Sequence, residues 1–430
     1  MTYRLPLTEQ RYLKSVDYFK KAIEKQDEKI KRSTSKRNLD TNHTINVLLR
    51  TRPLQPFEIE NGHCSVISQH GHCTYIHEPY FKVLSNPGIR SHTMEVDYAF
   101  GPEHDNMFVY DAMSEQLNES IRNNGLTTIL AYGQTGSGKT HTITGILDII
   151  FSNVLAIPTE ENEDFGIHCS SFEIFGNELK DLLDDTSTVQ IRESSTGQVN
   201  ASGCKEVKVK SMEDYISFKR NTEINRRTAK TLKNDHSSRS HAVYNLRFHP
   251  NQTTSTNTGV IMLIDLAGSE RNADSIKHDT QLLKESRVTN TSLMILKDCL
   301  RKKYEKTLYP NKHIHIPYRS SKLTLLLKGL IDSRYNHCKL NRIVGTFDPE
   351  PDRLTRTYMI ATLSPSIMDV SHSLNTARYA TTVIATNKSP AKNNVNKKKD
   401  IDSDGLFQNK KEEIPLDISE EDRKNILTKQ

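Results

Sequence analysis

Three short stretches of this sequence hold residue types that could do phosphate chemistry. The first is Gly133-Gln134-Thr135-Gly136-Ser137-Gly138-Lys139-Thr140, followed by His141. It fits the P-loop pattern G-x4-G-K-[ST] in full. Its glycines let backbone N–H groups turn inward and wrap a phosphate chain without Cβ clashes. Lys139 would reach the β- and γ-phosphates, and the Thr140 hydroxyl would hold Mg²⁺. The second stretch is Asp265-Leu-Ala-Gly268-Ser-Glu270. An acid at the end of a buried strand would serve Mg²⁺ through water, and Gly268 offers a backbone N–H to a γ-phosphate. The third is Asn234-Asp-His-Ser237-Ser238-Arg239-Ser240-His241. Its hydroxyls could orient water and Mg²⁺, and its guanidinium could pair with Glu270 and close the site. Such loops order around a γ-phosphate and relax after hydrolysis. The Ser-rich loop alone could be an ordinary turn; the three together converge on a nucleoside triphosphate.

These residues need elements to hold them. Leu126 to Ala131 reads as a buried strand feeding the glycine loop, and a helix follows with its positive end toward the anion. Residues 259–265 read as a second fully buried strand of the parallel-sheet type. Further strands are expected at 45–50, 167–174, 189–191, 205–209, 241–248 and 358–363, with hairpins between 57 and 100. Helices are expected at 105–123, 212–225 and 372–386, with mostly helical chain from 277 to 358. Residues 8–34 look helical and highly charged, with Tyr12, Val16, Phe19 and Ile23 at helical spacing. The run is too short for sustained heptads. It is either a solvated helix packing one stripe on the main domain or a basic neck that touches an acidic partner. From Asn387 onward Lys, Asn, Asp, Ser and Glu dominate, as in a disordered tail. The expected division is 1–40, 41–386 and 387–430.

The chain has 430 residues, 35% hydrophobic content, and a net charge of +6. Its mean hydropathy is −0.64 and its pI about 8.8. A modestly basic balance suits an acidic partner surface and does not choose among nucleic acid, anionic lipid and an acidic filament. No apolar run approaches the length that spans a bilayer. The start, Met1-Thr-Tyr-Arg-Leu-Pro, lacks a secretory apolar region, so a reducing compartment such as the cytoplasm is expected. Six cysteines are too sparse for a disulfide scaffold. His63-Cys64, His70 and His72-Cys73 supply zinc-ligand types, but the spacing matches no standard knuckle. Short strands with incidental Cys and His are the expectation.

Ala131 to Thr142, Asn234 to His241 and Asp265 to Glu270 resemble the P-loop, switch I and switch II of the kinesin motor domain. Arg50-Thr-Arg52-Pro53 resembles that family's adenine-side motif, and Tyr110 and His141 match positions that flank the base. Pro317-Tyr-Arg319-Ser-Ser-Lys322-Leu-Thr324 resembles the segment that faces the microtubule, and Ser373 to Ala380 the last motor helix. The match covers about residues 45–386. The resemblance implies an α/β, P-loop NTPase fold with a central mixed sheet and helices on both faces. It implies an ATP- and Mg²⁺-dependent hydrolase that cycles on tubulin filaments in the cytoplasm, at the cytoskeleton, with the mitotic spindle as one such place. No nucleic-acid partner and no membrane span are implied. Ser238 would position the attacking water near the metal, Gly268 would sense the γ-phosphate, and an Arg239–Glu270 pair would close the site. A helicase or transporter ATPase would share the P-loop but not the Asn-x-x-Ser-Ser-Arg-Ser-His loop.

Two motifs resemble the kinesin-13 subfamily, which removes tubulin from filament ends. His77 to Val83, with Lys82 and Val83, resembles its finger loop. Lys297-Asp298-Cys299 resembles the Lys-Glu-Cys motif of its tubulin-facing helix. With Arg319 and Lys322 these form the expected filament face. Several positions depart from the family pattern. Leu84 stands where the finger carries Asp, Thr291 where the helix motif carries Lys, and Ser286 where switch II carries Gly. The helix after Thr144-Gly145 runs on without its usual loop, and 334–356 is an insertion. The alternatives are a kinesin that moves along the filament, or a scaffold that binds it without turnover.

Overall fold

The computed structural model describes residues 7–33, 45–81, 87–156, 166–193, 199–228, 239–248, 259–270, 280–309, 311–328, 355–385 and 412–413. Its centre is a sheet in which runs of apolar residues, long enough for strands and too short for helices, lie side by side. Strands β1 (Ile45–Thr51), β5 (Tyr98–Phe100), β6 (Leu126–Tyr132), β13 (Gly259–Asp265) and β14 (Thr355–Leu363) pair in parallel in the order β13-β6-β14-β1-β5. Beyond β13 the sheet continues antiparallel through β12 (His241–Phe248), β7 (Ile167–Phe175) and β11 (Val207–Val209), with β8 (Glu178–Asp181) also on β7. The sheet is therefore mixed. Strand β13 is less uniformly buried than its sequence suggests, since Val260 and Met262 are half-buried.

Alternate strand residues point to opposite faces, and here they feed two separate cores. Val47, Leu49, Leu130 and Tyr132 join one core; Leu48, Ile129 and Ala131 join the other. The second core is covered by α4 (Asn106–Arg122), α5 (Lys139–Leu155) and α6 (Met212–Thr228), through Met113, Leu147 and Phe218 among others. The first is covered by α7 (Thr280–Leu308), the short α8 (Lys322–Leu326) and α9 (Val370–Ala385), through Leu296, Leu323 and Ala377. Helix α5 continues without interruption to Leu155, as its sequence suggests.

A smaller antiparallel sheet of β2 (Ile67–His70), β3 (Cys73–Phe81) and β4 (Pro87–Glu95) sits beside α9, with the two-residue β15 (Glu412–Glu413) against β4. Before it, Pro56–Glu60 forms a short helix, α3, that the sequence reading did not anticipate. The charged N-terminal run forms two helices, α1 (Leu7–Lys14) and α2 (Val16–Ser33), broken at Ser15. Phe19, Ala22 and Ile23 make a third core with Cys64, Val66, Ile89 and Ile367. The strands β9 (Gln190–Glu193) and β10 (Val199–Ser202) form a separate hairpin near α8.

Among the described residues no helix is long and apolar enough to cross a membrane. None of their His, Cys, Asp and Glu side chains gather as three possible metal ligands. The zinc-ligand types are otherwise engaged: His70 bonds Asp27 (2.5 Å), His72 bonds the Asp97 carbonyl (2.8 Å), and His63 bonds Ser366 (2.9 Å).

Candidate functional site

Four parallel strands end on one edge of the sheet, where α/β folds place their ligands. Arg52 follows β1, Gly133 follows β6, Asp265 ends β13, and Ser364 follows β14. The glycine loop between β6 and α5 holds Gly136 at φ 77° and Gly138 at φ 102°. Both lie in the left-handed region that L side chains avoid, so these two glycines, of which Gly138 belongs to the pattern, are needed where they stand. The Lys139 ammonium is buried and donates to the Gln134 carbonyl at 2.9 Å. Burial pulls its pKa below the ordinary lysine value, against the opposing pull of Asp265 and Glu270. A buried cation at the mouth of a helix start is a seat for an anion.

The Walker-type acid sits beside it. Asp265 Oδ2 accepts from the Thr140 hydroxyl at 2.7 Å and from Arg226 Nη1 at 2.8 Å. Its Oδ1 is buried without a hydrogen-bond partner among the described residues. That is the arrangement of a group short of one donor or cation. The all-oxygen pair Thr140 and Asp265 suits a hard divalent ion such as Mg²⁺. The residues present therefore fit both a polyphosphate and its metal.

Arg226 is a site residue that the sequence reading missed. It projects from α6, is buried, and reaches toward Glu173 at 3.8 Å as well as Asp265. Burial alone would depress its pKa, but the Asp265 carboxylate raises it above the usual arginine value. Glu173 in turn accepts from the Ser240 hydroxyl.

Glu270 accepts from the Thr135 N–H (2.9 Å) and the Thr135 hydroxyl (2.5 Å). Its described contacts thus run to the P-loop and not to Arg239, whose carbonyl accepts from the Thr289 hydroxyl. Gly268 lies between them: a Cβ there would collide with the Glu270 carboxylate and the Thr135 hydroxyl. Ser137 hydrogen-bonds the Gln134 carbonyl and Thr362 Oγ1, both at 2.7 Å, and steadies the loop from β14.

The expected base-side residues divide. Arg52 braces the loop tip, donating to the Gly136 carbonyl (2.8 Å), to Ser364 Oγ (3.0 Å) and bidentately to Glu58 (2.6 and 2.7 Å). Glu58 is itself partly desolvated, but Arg52 holds its carboxyl below the usual range. Arg50 is buried and binds Asn106 (2.5 Å) and Thr142 (2.8 Å). His141 is exposed, whereas Tyr110 is buried in the second core. The Tyr110 ring is thus an interior side chain here, because α4 turns Val109, Tyr110, Met113 and Leu117 toward the sheet.

On the opposite core, the filament-side candidates also divide. Cys299 is 0% exposed and cannot meet a partner surface. Asp298 is tied to Arg301 (2.7 Å) and Lys302 (3.1 Å). Lys297 places its ammonium 5.2 Å from the Tyr379 ring centre and 5.8 Å from that of Tyr132. Arg319 has a 79% exposed side chain bonded to Glu193 at 3.0 Å, and Lys322 is half-buried. Pro53 leads into the short helix after β1. Lys82, Val83, Leu84, Asn234, Ser237 and Ser238 lie outside the described residues, as does 329–354.

The profile of the kinesin motor domain matches residues 50–347. A diatom spindle kinesin-1 from Cylindrotheca fusiformis is 33% identical over 344 residues, which is 79% of this chain and 50% of that protein. Kinesin-like protein KIN-13B from Arabidopsis thaliana is 33% identical over 379 residues, 86% of this chain and 51% of that protein. The chain thus spans about half the length of these curated relatives. Among solved structures, a fast kinesin matches with a TM-score of 0.62 at 25% identity, covering 80% of this chain and 92% of that one. A KIF14 dimer with AMP-PNP in complex with a microtubule matches with a TM-score of 0.62 at 26% identity, covering 80% and 94%.

Proposed function

This chain belongs to the kinesin motor-domain family, and we propose that it hydrolyses ATP in a cycle coupled to microtubules. The observation that carries the proposal is the Lys139–Thr140–Asp265 cluster at the carboxyl edge of the parallel strands, with Asp265 Oδ1 unpartnered. Lys139 and the backbone N–H groups of Gly136 and Gly138 bind and orient the β- and γ-phosphates. Thr140 and, through water, Asp265 would hold Mg²⁺, which would supply positive charge against the negative charge that builds on the phosphates. Arg226 holds the Asp265 carboxylate aimed at that position. Arg52 and Ser137 keep the loop from spreading. Glu270 and Gly268 sit where a γ-phosphate would displace the Thr135 contacts, which frees Glu270 for Arg239. Ser238 then positions the attacking water. Catalysis is positioning and electrostatics more than proton transfer by one strong base.

Exposed Arg319 and half-buried Lys322 form the filament face with Lys297 and Asp298, and meet acidic tubulin by a salt-sensitive attraction. The similarity to KIN-13B, the Lys297-Asp298 pair and the His77–Val83 motif support the finer reading that the chain removes tubulin from filament ends. The diatom spindle kinesin is equally similar, at 33% identity, and does not choose between removal and translocation. Fluorescence microscopy of stabilised microtubules with ATP separates the two. Shortening from the ends, absent with Lys139→Ala, supports removal. Constant length with microtubule-stimulated turnover supports translocation, and no stimulated turnover overturns the motor reading.

A further inference from the structure

The smaller sheet has an edge that none of the phosphate or filament chemistry above uses. Its strand β4 is 9 residues long. One side of β4 pairs with β3 along its whole length, from Pro87 opposite Phe81 to Glu95 opposite Cys73. On the other side the only described strand is β15, where Glu412 pairs antiparallel with Ser91 and Glu413 with Arg90. A long edge strand is a template for a further extended segment, and here the C-terminal part of the same chain is seated on it.

The two faces of β4 differ in chemistry. Ile89 is buried in the third core with Phe19 of α2, and Ser91 on the same face bonds His77 at 2.9 Å. Arg90 points to the opposite face. There its guanidinium lies 5.3 Å over the Tyr80 ring and 3.8 Å from Glu78. The sequence around β15 has two faces to match: Glu412-Glu413-Ile414-Pro415-Leu416-Asp417-Ile418. From Glu413 on, Ile414, Leu416 and Ile418 share one parity, while Glu413, Pro415 and Asp417 share the other. Such alternation is what a strand with one face on a core requires. The register sets Glu413 opposite Arg90, acid against cation. One step further in that register, Ile414 falls opposite Ile89, so the apolar parity belongs to the face that α2 covers. A slip by one residue would exchange the two faces. Pro415 has no N–H to offer, which suits an edge strand and blunts further growth of the sheet.

We propose that the β4 edge is a strand-addition site filled by residues 412–418 of the same chain. The added strand closes the sheet edge and ties the C-terminal part of the chain to the lobe that the N-terminal helices cover. Helix α9 already packs on β3 and β4. Residues 386–411 can span up to about 85 Å at roughly 3.3 Å each, so the return is within reach. Main-chain hydrogen bonds supply the affinity, and the alternating side chains supply the register. The proposal stands apart from the nucleotide and microtubule readings.

The test compares hydrogen–deuterium exchange of the full chain with that of a Glu412→Pro, Glu413→Pro variant. Of two consecutive strand residues one turns its N–H toward β4, so the two prolines remove that bond whichever residue supplies it. Both positions lie beyond α9, outside the three cores. Amides of residues 89–92 should exchange at least about tenfold faster in the variant, with those of β6 and β13 unchanged. A synthetic peptide of residues 409–420, added at millimolar concentration to match a tethered segment, should restore the protection. The same peptide carrying both prolines should not. Equal exchange in the two proteins overturns the inference, and so does a variant that the native-sequence peptide leaves unprotected. Protection that fades on dilution, in step with loss of a dimer in light scattering, gives the strand to a second copy and overturns the same-chain assignment.

Discussion

Replacing Arg226 with Met tests the centre of the site. Asp265 is 1% exposed, and Arg226 is the cation described on it, at 2.8 Å. Two unit charges 4 Å apart interact by about 4 kcal/mol at an effective dielectric constant of 20. Removing one partner of such a buried pair costs about 3–5 kcal/mol, because the remaining charge stays desolvated. For a domain this large, about 2 °C per kcal/mol predicts a fall in Tm of about 6–10 °C. In an Asp265→Asn background only the more distant Glu173, at 3.8 Å, loses its cation, and the same change should cost only about 1 kcal/mol. The double-mutant cycle should therefore return a coupling of about 2–4 kcal/mol. Mg²⁺ with ADP should raise the Tm of Arg226→Met more than that of wild type, because the ion replaces the lost positive charge. Calorimetric melts of the four proteins, with and without Mg²⁺ and ADP, decide it. Costs that add within about 0.5 kcal/mol would show that Arg226 and Asp265 do not act as a pair, and would refute the reasoning.

Glu270→Ala should leave ATP binding intact and lower turnover at least about a hundredfold; normal turnover in a steady-state assay would separate Glu270 from hydrolysis. Arg52→Ala frees the Gly136 carbonyl and takes the guanidinium from Glu58, so ATP Kd should rise about tenfold, measured by calorimetric titration. Buried His77, held between Ser68 and Ser91, has its pKa pulled down to about 4 by burial. The unfolded chain takes up that proton near pH 6.5 while the folded chain does not, so its contribution is whole above 6.5 and falls toward pH 4. The loss is about 2 kcal/mol by pH 5, and His77→Gln should flatten that slope in melts from pH 7 to 5. Arg319→Ala with Lys322→Ala should weaken microtubule co-sedimentation and reduce its salt dependence; an unaltered salt profile would place the filament face elsewhere.

The phosphate side was legible because its demands are local. A glycine at φ 102°, a lysine and a threonine must be adjacent in sequence to be adjacent in space, and the apolar runs of β6 and β13 announce the strands that carry them. Arg226 left no such mark. It sits in a helix rich in charge, next to Arg227 and near Glu223, where an arginine reads as a solvated face. Its burial follows from how α6 lies across the sheet, which no local pattern encodes. The triplet Lys297-Asp298-Cys299 misled for a geometric reason. At about 100° per residue its ends are about 200° apart around the helix, so Lys297 and Cys299 cannot share one face. The core keeps Cys299 along with Leu296 and Leu300. Tyr110 is a similar case, since the period of α4 turns it inward.

The third core has a practical meaning for the boundary near residue 41. Phe19 is fully buried, with the tilted Tyr12 ring 6.1 Å and the edge-on Phe81 ring 5.7 Å from its own ring centre. The Tyr12 hydroxyl reaches the Pro79 carbonyl (3.3 Å), and Arg11 lies 4.7 Å over the Phe81 ring. A gap in sequence is therefore bridged by packing. A shortened protein beginning at residue 41 would present Val66, Phe81, Ile89 and Ile367 as a sticky patch. Such a patch invites self-association, and a sample prepared that way would report on its own cut edge as much as on the motor.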